Sequence, residues 1–224
     1  MVEDFDYLIV LRNLQIENAN AIQGLTYGFP AITAINGFVH KLSRDISKLY
    51  QLEFLGSGIV CHKHQIQAYK ANPFANYVFS QTRNPLNNKG ESPAFIQEGK
   101  MHATISLLIP CKGIIRGGSQ GPIKFAEILQ KKVLKNRFAG GTILELKNIE
   151  IIAHNENIEI QEKKTRKLLR SLLPGYALVN RSDLLTEHFE RTFEPDSKTQ
   201  PLDVFLDFVS LKYAAKVNGV FTGP

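Results

Sequence analysis

Cysteine is scarce in this 224-residue chain: Cys61 and Cys111 are the only two, both in apolar surroundings and neither at a CxxC or other metal-ligand spacing. That excludes a disulfide framework and fits two buried thiols in a reducing compartment. Long hydrophobic runs are missing as well. Stretches such as ISLLIP at 105–110 fall far short of the roughly 20 residues of a membrane helix. The acidic start MVEDFD lacks the form of a signal peptide,. The expectation is a soluble, cytoplasmic protein with no membrane partner. Internal repeats and low-complexity segments are absent too,. Neither glycine-rich turn, RGGSQG at 116–121 or AGGT at 139–142, matches GxxxxGK[ST] or GxGxxG, so no nucleotide cofactor is expected. Glycine at such turns does let backbone N–H groups approach a phosphate.

What is present is an apolar content of 43%, enough for a sizeable core, and a net charge of +6 that is unevenly spread,. Residues 121–175 carry 11 basic and 6 acidic side chains, whereas 176–224 carry 5 and 7. A local positive surplus argues for a polyanionic partner, because net charge controls local potential rather than fold. A solvated helix face is the plainer reading of the same charges.

FDYLIVLRN (5–13) alternates as a strand, and the amide-rich segment after it reads as a loop of about fifteen residues, far longer than the usual roughly 2 to 6. From Pro30, apolar residues at Ile32, Ile35, Val39, Leu42, Ile46 and Leu49 predict an amphipathic helix,. Gly37 inside it suggests a close approach to a sheet. FLGSGIVCHKH (54–64) is a glycine-kinked strand, and 65–99 collects Asn, Pro and Gly as an irregular insertion,. MHATISLLIPC (101–111) is a buried strand, PIKFAEILQKKVLKN a helix stopped by FAGG, and TILELKNIEIIA (142–153) a strand,. Strand, helix, strand, strand, helix, strand is the ferredoxin-like order, which also underlies sheets of the RRM type that present a face to RNA. The fold class expected is therefore α+β: a ferredoxin-like βαββαβ core over 1–153 with its insertion at 65–99, then a helical extension over 154–224. Its last helix is expected over 200–215, where Leu202, Val204, Phe205, Leu206, Phe208, Val209 and Leu211 give more apolar surface than one stripe needs, a candidate interface,.

His62 and His64 lie two apart, which on a strand puts both rings on one face, but no third ligand stands beside them and no metal is expected,. His40 or His102 could act as the base of an RNA endonuclease; a lone His without a partner is more often packed or hydrogen-bonded. The asparagines are more pointed. Asn18 and Asn20 in an extended segment can present both amides to one side, each with a donor and an acceptor suited to base edges or ribose hydroxyls, and Arg83 and Asn84 stand in a second irregular stretch,. Asparagine also serves turns by bonding its own backbone.

Four stretches in order, IENANAIQGLTYGFPAITAINGFVHKL, FSQTRNPLNNKG with QEGKMHATISLLI after it, FAGGTI, and LLPGYALVNRSDLL, resemble the family of second subunits of the type I-F CRISPR (Csy) surveillance complex. The resemblance runs from Tyr7 to Ala215. It implies a noncatalytic RNA-binding subunit of the repeat-associated (RAMP) superfamily, of the Cas five type. Such a subunit grips the 5′ handle of the CRISPR RNA, pairs with the large subunit and touches an adjacent backbone subunit; target DNA is bound by the assembled complex. On that basis Asn18 and Asn20 would read base or ribose groups, Arg83 and Asn84 would approach from the insertion, and Arg116, Lys132 and Arg137 would supply phosphate charge. Relatives continue past VNGVFTGP, so a shortened C-terminus is also expected.

Overall fold

In chain order the elements are β1 (Tyr7–Asn20), β2 (Ile22–Gln23), β3 (Thr26–Tyr27), α1 (Ile32–Ser47), β4 (Gln51–Phe54), β5 (Gly58–Ile66), β6 (Ala68–Tyr69), β7 (Val78–Phe79) and β8 (Lys100–Ile114). There follow α2 (Gly121–Leu134), β9 (Arg137–Phe138), β10 (Gly141–Ala153), α3 (Ile158–Ser171), β11 (Tyr176–Ala177), α4 (Ser182–Thr192), α5 (Pro201–Val209), β12 (Ala215–Val217) and β13 (Val220–Thr222). They are taken from a computed structural model that describes residues 5–24, 26–80, 85–92, 99–179, 181–192, 200–209, 215–217 and 220–222. Two compact units result, Met1–Leu178 and Val179–Pro224.

The first unit is a mixed α/β body built on one antiparallel sheet in the order β11-β5-β8-β1-β10-β9, with β4 also paired to β8. Helices α1 and α2 cover one face. Ile35, Phe38, Val39, Leu42 and Ile46 of α1 and Phe125, Leu129 and Val133 of α2 recur every three or four residues, so each helix turns one stripe inward onto Ile9, Leu11, Leu14 and Ile16 of β1 and Ile105, Leu107 and Ile109 of β8,. Edge-on ring contacts, Phe38 with Phe138 and Tyr50 with Phe125, lock the corners of this core,. Each fully buried large side chain contributes roughly 1.5–3 kcal/mol. Gly37 does not approach the sheet as expected: it is exposed, with nothing within 4 Å of where a Cβ would stand, because Phe38 and Val39 do the packing. Gly37→Ala should therefore stabilise the protein by about 1 kcal/mol, seen as a higher midpoint in urea; a lower midpoint would show an unseen requirement for glycine.

The long loop expected after Asn13 is not there. β1 continues to Asn20, and the break in its alternation is a pair of β-bulges. Asn13 and Asn18 adopt φ of 51° and 55°, and pairing with β8 slips between Leu11 and Leu14 and again between Ile16 and Ala19. Each bulge inserts one residue and resets which positions face inward. Leu14, Ile16, Ala19 and Ala21 are consequently all buried although no single two-residue period joins them to Ile9 and Leu11. The short β2–β3 hairpin then carries the chain to α1.

FAGG likewise has a different role from the helix stop expected of it. Phe138 pairs with Gly141, and the two residues between them, Ala139 and Gly140, have φ of 46° and 78°. Two positive φ values in a two-residue connection are the signature of a type I′ hairpin. Ala139 O accepts the Asn20 N–H at 2.9 Å, tying this turn to the end of β1.

On the opposite sheet face α3 packs through Leu168 and Leu172 onto Val10 and Val60. Polar contacts fix it there. Arg12 holds Glu150 through two bonds of 2.7 and 2.8 Å and donates to Ser171 Oγ at 2.8 Å. Fully buried Ser106 takes the Asn13 N–H at 3.1 Å and lies 2.7 Å from His62 Nε2, while His62 Nδ1 lies 2.7 Å from Pro174 O. A carbonyl can only accept, so Nδ1 carries the proton; in the neutral ring Nε2 then accepts from the Ser106 hydroxyl. α3, grouped from sequence with the C-terminal extension, thus belongs with the sheet. In the second unit α4 packs on α5; of the helix expected over 200–215, Pro201–Val209 is helical, 210–214 lie outside the described residues, and Ala215 is already in the β12–β13 hairpin.

Candidate nucleic-acid interface

Beyond α3 the same sheet face is polar, and no described helix of the first unit covers it. Gln15, Glu17, Lys63, Gln65, His102 and Thr104 line a shallow cleft of about 660 Å³ there. Alternation on β8 accounts for it: Met101, Ala103 and Ile105 are buried toward the helices, so His102 and Thr104 must face away,.

At the mouth of this cleft the bulge at Asn18 makes its own cluster. The Asn18 N–H donates to His102 Nδ1 at 3.3 Å, and the Gln67 amide lies 2.7 Å from the Asn18 amide and 3.0 Å from His102 Nε2. Gln67 Nε2 is the donor to Asn18 Oδ1 and also lies against the His102 ring, so one amide orients both side chains,. The bonds within the cluster use neither the Asn18 NH₂ donors nor the Gln67 Oε1 acceptor. Asn20 is exposed, and its Oδ1 takes the Ile22 N–H at 3.0 Å, an Asx turn that starts the β2–β3 hairpin,. Gln67 was not legible as a site residue: it sits in a segment without period, and only the fold carries it to Asn18.

The basic residues divide between two ends of the sheet. Exposed Arg137 lies on β9 opposite Thr142, which in turn pairs with Glu17 of β1, so it stands beside the Asn18–Asn20 end. Half-buried Lys132 is in the last turn of α2, its carbonyl bonded by Asn136 Nδ2 at 3.0 Å, just before Arg137. Arg116 is elsewhere. It follows the far end of β8, donating to Gln51 Oε1 at 3.2 Å, and β8 is 15 residues long, which at ~3.3 Å per residue puts it on the order of 45 Å away. Arg83 and Asn84 lie outside the described residues.

His40 is exposed on α1, on the other side of the sheet from His102, and the two do not form one site. His62 and His64 do not act together either: the β5 register shifts between Cys61 and Lys63, and both His62 ring nitrogens are engaged by Pro174 and Ser106. Among the described residues no three His, Cys, Asp or Glu side chains gather as a metal cluster. Burial raises both thiol pKa values, that of Cys111 to about 12 with Asp6 adding to the effect, so both stay protonated near neutral pH,. Among the described residues no helix is long and apolar enough to cross a membrane.

Residues 9–220 match the family of CRISPR-associated proteins described as Cas_Csy2. This chain belongs to the Csy2 family. It is 39% identical to the CRISPR-associated protein Csy2 of Pseudomonas aeruginosa (strain UCBPP-PA14) over 223 residues, covering 95% of this chain and 67% of that protein. As a Csy2-family member it is a subunit of the CRISPR Csy machinery. Within that family assignment, the match begins inside β1 and takes in both bulges, the Asn18 cluster and the β9–β10 turn.

Proposed function

We propose that this Csy2-family chain is the noncatalytic subunit of a type I-F surveillance complex that holds the 5′ handle of the CRISPR RNA. It pairs with the large subunit, lies beside a backbone subunit, and meets target DNA in the assembled complex in the cytoplasm. A ferredoxin-like RAMP core is supported by the antiparallel order β10-β1-β8-β5 with α1 and α2 on one face,. The observation that carries the reading is the Asn18–Gln67–His102 cluster, which offers an acceptor and donors at the edge of a polar sheet face. Such paired groups suit the edges of unpaired bases. A noncatalytic role is supported by His102, whose Nδ1 already accepts the Asn18 N–H.

The test is binding of handle and scrambled RNA at low and moderate salt, with the large subunit present. Asn18→Gly keeps the positive φ of the bulge while removing the amide, and Asn20→Asp keeps the turn. Each should weaken the correct handle by roughly 1–3 kcal/mol, if base-edge energetics measured on DNA transfer to RNA. Lys132→Ala and Arg137→Ala should weaken every RNA alike and flatten the salt slope by about 0.7 each. Equal affinity for handle and scrambled RNA at both salts would refute handle recognition, and RNA cut during prolonged incubation would refute the noncatalytic role.

A further inference from the structure

The insertion between β5 and β8 is irregular in sequence, yet it contains a small hairpin, β6 paired with β7, whose loop is ordered by Asn72: its Oδ1 takes the Phe74 N–H at 3.0 Å and its carbonyl takes the Ala75 N–H at 3.1 Å. This turn holds Phe74 out with 97% of its surface exposed, and Tyr69 and Tyr77 are exposed at 56% and 65%. Lys70 Nζ stands 4.6 Å from the centre of the Tyr77 ring. Three exposed aromatic rings on one short hairpin contribute nothing to the core, and burying them elsewhere would be favourable, so their exposure calls for an occupant.

Charge says which kind. From Phe54 to Gly90 the chain has no Asp or Glu, while Lys63, Lys70, Arg83 and Lys89 fall in that stretch. Aromatic faces in an acid-free, basic segment match a single-stranded polyanion that carries flat bases. The hairpin is also continuous with the Asn18 cluster. Gln67, which bridges Asn18 and His102, is the residue just before β6, and its carbonyl accepts the Ser80 N–H at 2.8 Å, closing the hairpin's base. Gln67 N–H in turn donates to Lys100 O at 2.8 Å, fixing that base on β8.

We infer that the β6–β7 hairpin is a stacking arm on which Phe74 and Tyr77 receive unpaired RNA bases, with Lys70 held over Tyr77 for the adjoining phosphate. This rests on the RNA-binding reading above but uses a different physical interaction, stacking rather than amide and phosphate contact. Stacking tolerates any base, so its loss is felt by every single-stranded RNA, and it releases no counterions, so the salt slope stays as it was.

The experiment uses the full chain with the large subunit and two probes, handle RNA and an unstructured scrambled RNA, each carrying 2-aminopurine at successive positions. Phe74→Ala and Tyr77→Ala should each weaken both probes roughly 5- to 150-fold per stacked base, with a gain of 2-aminopurine fluorescence at one position; the salt slope should be unchanged in Phe74→Ala and flatter in Tyr77→Ala, which also releases Lys70,. Phe74→Trp should retain binding. If the wild type prefers the handle and the alanine variants bind it equally well, the arm is wrong and handle recognition stands. If the wild type shows no preference but the variants still lose affinity and quenching, the arm stands and handle recognition falls. Unchanged RNA binding with loss of a subunit from the complex would overturn the arm in favour of a protein contact.

Discussion

Gly141→Ala is expected to lower stability by roughly 2–4 kcal/mol, because the added methyl has nowhere to go. A Cβ at Gly141 would lie 2.6 Å from Glu17 O, 2.7 Å from Ala19 N and 2.8 Å from Ala19 Cα, all backbone atoms flanking the Asn18 bulge. Neither partner is the flexible end of a side chain, so the strands must separate. The neighbouring glycine provides the control. Gly140 has φ of 78° but nothing within 4 Å of a Cβ, so Gly140→Ala should cost only about 1–2 kcal/mol from left-handed strain. Urea denaturation of the two variants distinguishes close approach from turn chemistry, and equal losses would sink the explanation. Since the clash falls on the bulge that sets Asn18, Gly141→Ala protein that does fold should also bind handle RNA less well.

The second large effect is expected at Ser106. Ser106→Ala removes one fully buried oxygen and leaves two half-buried groups without their partner, the Asn13 N–H and His62 Nε2. An orphaned group costs about 1–3 kcal/mol when fully buried, and partial solvent access keeps each of these two near the low end, so a loss of roughly 2 kcal/mol is expected. The loss should not be additive with His62→Ala. With His62 gone, only one group remains to be stranded, and a double-mutant cycle in urea should return a coupling of about 1 kcal/mol. A coupling near zero would mean that water replaces the hydroxyl and that the chain from Asn13 to Pro174 does not hold α3. Hydrogen exchange offers a second reading: amides of α3 should exchange faster in Ser106→Ala than those of α1, which does not depend on this network.

Local pattern carried far where one physical rule acted alone. The stripes of α1 and α2 and the buried run of β8 each follow from a single period meeting a single buried face, and the structure has them within a few residues of the expected bounds; β10 has the expected bounds, but its alternation breaks between Ile143 and Leu146, where its pairing with β1 slips. Asn18 and Asn20 stood out by composition and loop-like context, and both are exposed at one end of β1. Their context was misread because a bulge, in which one residue with positive φ lets the strand continue, looks in sequence like the end of the strand. Glycine was misread for a similar reason. Gly37 and Gly141 are the same letter, yet one faces solvent and the other admits a second backbone.

What the sequence by itself determined was the order of the long elements, the inward stripe of each helix, the burial of both cysteines, the positive surplus of the middle segment and the family resemblance. Each depends on composition or on residues within a turn or two of one another. Tertiary structure alone decided that Gln67 meets Asn18 and His102, that Arg137 stands with them while Arg116 is at the far end of β8, and that Ser106 links β1 to His62 and Pro174. Those pairs are tens of residues apart, and which partners meet depends on the register of β1, β5 and β8. Register is set jointly by two buried faces and by the bulges at Asn13 and Asn18. One residue of slip in a strand exchanges its faces, so no local pattern can supply it.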